Sequence, residues 1–76
     1  MKKVYILEGW DEDNQWQIVC VYAKEKSAIT DLKSLMDDGE TFHKYDKIDQ
    51  KRGLLAYIQR EIDIVSTARI QIRRVY

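Results

Sequence analysis

The chain has 76 residues, one cysteine, no proline, and equal numbers of basic and acidic side chains, 13 of each. A chain of this length buries only about 60–65% of its unfolded surface, and a single cysteine excludes an internal disulfide as a staple. No segment approaches the roughly 20 apolar residues needed to span a bilayer.

The basic start, Met1-Lys2-Lys3, leads into apolar residues, but the run stops at Glu8 and no small-residue cleavage site follows. A secretory signal is therefore not expected, and with the lone Cys20 the chain reads as cytoplasmic. The neutral charge hides an asymmetry. Residues 1–43 carry five lysines against nine acids, and residues 44–76 carry eight basic residues against four acids. Such a division is either a contact signal or a pair of halves that neutralise each other across the fold.

Residues 3–9 read as a strand, because Val4, Tyr5, Ile6 and Leu7 are contiguous and bulky. Asp11, Glu12, Asp13 and Asn14 then make a polar turn. Residues 16–22 read as a second strand, and the short link favours an antiparallel hairpin. Both strands are apolar on both sides, which predicts a sheet covered on both faces. Residues 25–38 read as an amphipathic helix, with Ala28, Ile29, Leu32, Leu35 and Met36 on one stripe. Gly39 suits the position just past its end. Asp37 and Asp38 conflict mildly with the negative end of that helix.

Residues 40–47 read as a loop pinned by Phe42, Tyr45 and Ile48. Residues 49–64 read as a second helix, since Leu54, Leu55, Ile58, Ile62 and Val65 recur at three- and four-residue spacing. Gly53 weakens that helix by about 1 kcal/mol relative to alanine. Residues 68–76 alternate as a third strand, with Ile70 and Ile72 inward and Arg69, Gln71 and Arg73 outward. The expected fold is α+β: a small antiparallel three-stranded sheet of order 2-1-3 with two helices, β-β-α-α-β, in a single domain over residues 1–76. A right-handed crossover places the last strand beside the first. The second face is then covered by the second helix or by a second copy of the chain.

The run Lys3-Val4-Tyr5-Ile6-Leu7-Glu8, the acidic turn, the strand ending Val21-Tyr22, and the helix start Glu25-Lys26-Ser27-Ala28 with Leu32 and Leu35 form a recognisable series. Gly39, Phe42 and Tyr45 continue it. Over residues 3–45 the chain resembles a family of small bacterial and phage proteins that open on a VYILE-type strand. The resemblance implies a β-β-α-β type of domain and a phage or mobile-element origin. It implies no activity and no catalytic residues. Residues 46–67 depart from the family pattern.

No nucleotide, zinc, protease or redox motif is present, so no cofactor, no metal site and no enzymatic activity are expected. Cys20 and His43 are the only thiol and the only imidazole. A nucleophilic pair needs them within hydrogen-bond reach. Cys20 reads instead as apolar strand packing and His43 as a solvated loop residue. Asp11, Glu12 and Asp13 lack the spacing and the distal glutamate of a calcium loop. With Asp37, Asp38 and Glu40 they form either an acidic surface or two solvated turns. Trp10 and Trp16 flank the hairpin turn, as core or as interface anchors.

The functional expectation is a small non-enzymatic module that binds a larger protein through Trp10, Asp11, Glu12, Asp13 and Trp16. Given the phage resemblance, it is an accessory protein that inhibits a host or defence protein by occupying its surface. The alternative is a nucleic-acid binder using Lys44, Lys47, Lys51 and Arg52 together with Arg69, Arg73 and Arg74, which form a stripe with Lys2 and Lys3 if the first and last strands pair. A homodimer is compatible with either function. No membrane partner is expected.

Overall fold

The computed structural model describes residues 2–11, 13, 15–62 and 65–75. Its elements run β1 (Lys2–Asp11), β2 (Gln15–Tyr22), α1 (Glu25–Ser34), β3 (Glu40–Lys44), α2 (Lys47–Lys51), β4 (Leu54–Arg60) and β5 (Val65–Val75). All five strands join one antiparallel sheet of order β2-β1-β5-β4-β3. The expected α+β fold, a three-stranded sheet of order 2-1-3 with two helices, is overturned: the described residues are mostly β, five strands with two short helices. The loop expected over residues 40–47 supplies strand β3, and most of the helix expected over residues 49–64 is strand β4.

A β-bulge accounts for the second difference. In the β4–β5 ladder Leu54 pairs with Gln71 and Ala56 with Ile70, so the register slips at Leu55. The slip leaves Leu55, Ala56 and Ile58 all buried. Apolar residues on a bulged strand lose their period of two, and this spacing imitates a helix. The helical signal ahead of Gly53 is real but brief. Asp46 caps α2 by accepting from the Asp49 amide at 2.9 Å. Gly53 then takes φ +93° just past Arg52, the residue that closes α2. Glycine is the residue that enters that region at no steric cost.

α1 starts as expected and stops earlier. Its last turn tightens at Leu35 and Met36, whose amides reach back three residues to Leu32 and Lys33. Asp37 and Asp38 therefore lie beyond the helix and escape its negative end. Gly39, at φ +86°, belongs to the following turn, where the Glu40 amide bonds the Asp37 carbonyl at 3.2 Å.

The core forms on one face of the sheet. Leu7, Ala56, Ile58, Ala68 and Ile70 pack with Leu55 and with Ala28 and Leu32 of α1, and no polar side chain is buried among the described residues. Burying Leu32 alone is worth about 1.5–3 kcal/mol. α2 is five residues long and buries none of them. It does not cover the second face, contrary to one of the two covers expected for it.

Candidate functional site

Residues directly opposite in a ladder share a face. Leu7 and Ile70 face α1, so their neighbours Glu8 and Arg69 face away. Extending that row through Tyr57 and His43 crosses from β1 to β3 on the uncovered side. The same face carries Val4 and Ile6 of β1, and Trp16, Ile18 and Val21 of β2. Ile18 is 64% exposed and Val21 52%. No described element lies over them.

Trp10 and Trp16 pair across the hairpin with ring centroids 5.4 Å apart and edges toward faces. Trp10 is 43% exposed and Trp16 half-buried. Arg69 lies 3.9 Å over the Trp16 ring and holds Glu8 through Nε at 3.0 Å. Its charge is therefore already matched on both sides. Further along the row, His43 stacks on Tyr57 at 5.0 Å and Tyr45 tilts against the same ring at 4.9 Å. Burial pushes the Tyr45 hydroxyl above its usual range. An aromatic belt with one ion pair at its centre thus crosses the sheet.

β2 forms one edge of that sheet. Its eight residues include no charged side chain. Strand edges without charge, proline or cover offer free amide and carbonyl groups to another chain. The single protective device on β2 is a register shift opposite Leu7 and Glu8, which leaves Val19 unpaired. One tie secures its end to α1. The Tyr22 hydroxyl donates to Asp31 Oδ2 at 2.5 Å, and this bond raises the tyrosine well above its ordinary pKa.

The remaining sequence candidates distribute as follows. Asp11 and Asp13 are exposed beside the tryptophan pair, and the Asp13 amide donates to Asp11 Oδ1 at 3.1 Å. Glu12 lies outside the described residues. Glu40 does not contribute to an acidic surface. It accepts from the Asp37 amide at 2.8 Å and from the Thr67 hydroxyl. The thiol expected to be packed is exposed, because β2 is an edge. His43 sits on a strand, not in a loop, with Nε2 2.9 Å from the Thr41 hydroxyl. Cys20 pairs with Leu7 on the α1 face and His43 with Tyr57 on the other. Four strand spacings of about 4.8 Å also separate them, roughly 19 Å. A Cys20–His43 nucleophilic pair is not formed.

The basic candidates divide. Lys44 bridges Glu25 at 4.0 Å with both groups well exposed, a pairing of little energetic weight. Lys47, Lys51, Arg52, Arg73 and Arg74 meet around one cleft, which Lys3 also lines. Members of both basic clusters of the sequence, residues 44–52 and 69–74, thus border one cleft, and Lys44 and Arg69 stay outside it. Reading missed the bare edge formed by Ile18 and Val21, although the lack of charge from Trp16 to Tyr22 was its visible signal.

Comparison with family models, curated proteins and solved structures gave no match. Among the described residues no helix is long and apolar enough to cross a membrane, and no group of three metal-binding side chains occurs.

Proposed function

We propose that this protein is a binding module that takes an extended segment of another protein as a sixth strand beside β2. The observation that carries the reading is the uncharged edge of β2, with Ile18 and Val21 exposed on an uncovered sheet face. Strand addition derives affinity from main-chain hydrogen bonds and specificity from alternate side chains. Here those side chains lie over Ile18, Val21 and the apolar residues of β1 behind them. Trp10 and Trp16 anchor the end nearest the hairpin. Asp11 and Asp13 beside them favour a basic residue at that end of the segment. Occupying a partner's strand in this way is also how such a module inhibits it.

The test is selection of a random peptide library on the immobilised protein. Selected peptides are expected to alternate apolar residues and to carry a basic residue at one end. The double substitution Ile18→Lys and Val21→Lys is expected to weaken their binding at least tenfold, about 1.4 kcal/mol, with unchanged circular dichroism. Selection of nothing, or of peptides indifferent to that substitution, overturns the reading. Sedimentation of the free protein identifies the remaining occupant: a doubled mass that Ile18→Lys abolishes assigns the edge to a second copy.

A further inference from the structure

We infer that the cleft between α2 and the paired ends of β1 and β5 binds the phosphate groups of a nucleotide or of single-stranded nucleic acid. This site is separate from the β2 edge and does not depend on it.

Three features of the chain assemble it. Lys47 and Lys51 are four residues apart on α2 and share a face, with Arg52 next in line. Lys3 pairs with Arg74 in the β1–β5 ladder, beside Val4 with Arg73. Gly53 joins the two groups. Its carbonyl accepts from the Ile72 amide at 2.9 Å, and a Cβ at Gly53 would stand 3.1 Å from the Ile72 carbonyl oxygen. Only a glycine lets α2 approach β5 that closely at φ +93°.

The result is a cleft of about 460 Å³ on the α1 side of the sheet, lined by the cations Lys3, Lys47, Lys51, Arg52 and Arg74. Arg73 borders it from the other face, which it shares with Val4, and bonds Gln71 there at 2.8 Å. None of these cations is in an ion pair with another described residue. The single acid on the wall, Glu25, faces Lys44 at 4.0 Å. Of the two acids nearest in sequence, Asp46 caps α2 and Asp49, in its first turn, is not on the cleft wall. Concentrating five cations at one place in a chain of zero net charge repels within the fold, and an anion relieves it.

The chemistry favours phosphate over an acidic protein surface. The cations converge on a concavity within the size range of small-ligand sites and are not spread over a flat face. Tyr5 and Ile72 line the same cleft and provide an apolar and aromatic surface for a base, as in single-strand binding sites.

Fluorescence anisotropy of a labelled oligothymidylate at low salt tests the site. Affinity is expected to fall with salt, at a log–log slope of about −0.7 for each phosphate contacted. Lys51→Glu with Arg52→Glu is expected to weaken binding at least tenfold, whereas Lys33→Glu, at the far end of α1, leaves it unchanged. Arg74→Glu repeats the test from β5 should the double substitution prevent folding. Displacement by ATP and by pyrophosphate assigns the site to free nucleotides. Binding of the oligonucleotide that resists both assigns it to a nucleic-acid strand. No binding of either probe at low salt, or equal loss in Lys33→Glu, overturns the inference.

Discussion

The two edges of this sheet are built on opposite plans. β3 is five residues long, and its charged ends are both engaged. Glu40 accepts from the Asp37 amide and the Thr67 hydroxyl, and Lys44 faces Glu25. Between them Phe42 packs against the core under the Lys33 ammonium, 4.8 Å from the ring centroid. His43 stacks on Tyr57. β2 is eight residues long and uncharged, and presents Ile18, Val19 and Val21 to solvent. Short, charged, tied-down edges are how sheets avoid pairing with other chains. The protection at β3 shows that this sequence can build such an edge, which makes its omission at β2 informative about function.

Equal truncations at the two edges separate them most strongly. Phe42→Ala is expected to cost about 2–3 kcal/mol, below the roughly 3–5 kcal/mol of a fully buried phenylalanine, since this ring is half-buried. A chain of this size has a total stability of about 4–11 kcal/mol, so the loss is large. Ile18→Ala is expected to change stability by less than about 0.5 kcal/mol, as exposed positions do. Urea denaturation of both variants decides it. Similar costs would mean that Ile18 is covered in solution, and the contrast between the edges would fail.

Sequence conveyed the β2 side of this contrast better than the β3 side. The hairpin of β1 and β2 follows from two apolar runs around an acidic turn, and the alternation of Ala68, Ile70 and Ile72 marks β5. Even a three-stranded order of 2-1-3 leaves β2 at an edge. β3 was hidden because Glu-Thr-Phe-His-Lys offers one strongly apolar residue, and its strand geometry comes from pairing with β4. β4 was hidden by the bulge at Leu55, which converts alternation into helix-like spacing. Misreading β4 had a consequence for the candidate sites. With residues 54–60 as helix, nothing brings Lys51 near Arg74. Only the strand, entered through Gly53, places the two basic clusters on one cleft.

Gly53→Ala tests how far the connection behind β3 and β4 secures the protected side. A left-handed φ at a non-glycine residue costs on the order of 1–3 kcal/mol, and the Ile72 carbonyl must also yield to the new methyl. We expect a loss of about 1–2 kcal/mol in denaturation. Amide exchange is expected to quicken in β3 and β4 and to stay unchanged in β2. Quickening in β2 instead would show that the sheet responds as a whole and that its edges are not independent.

The smallest effect concerns acid. The hydrogen bond from Thr67 holds the Glu40 carboxyl below the usual carboxylate range, assisted by the Asp37 amide and opposed by partial burial. A group whose folded pKa lies below its unfolded value, near 4.3, contributes stability above that value. The contribution is lost as pH falls through the folded pKa. Amide protection in β3 should therefore hold from neutral pH down to about pH 5 and decline below it, while residues 17–19 of β2, away from the tie between Tyr22 and Asp31, show no such step. Glu40→Gln should lower Tm at neutral pH and reduce the slope of Tm against pH in the acid range. If that variant kept the full acid slope, Glu40 would not be the tie that seals β3. The protection of that edge would then rest on Phe42 and the stacked His43.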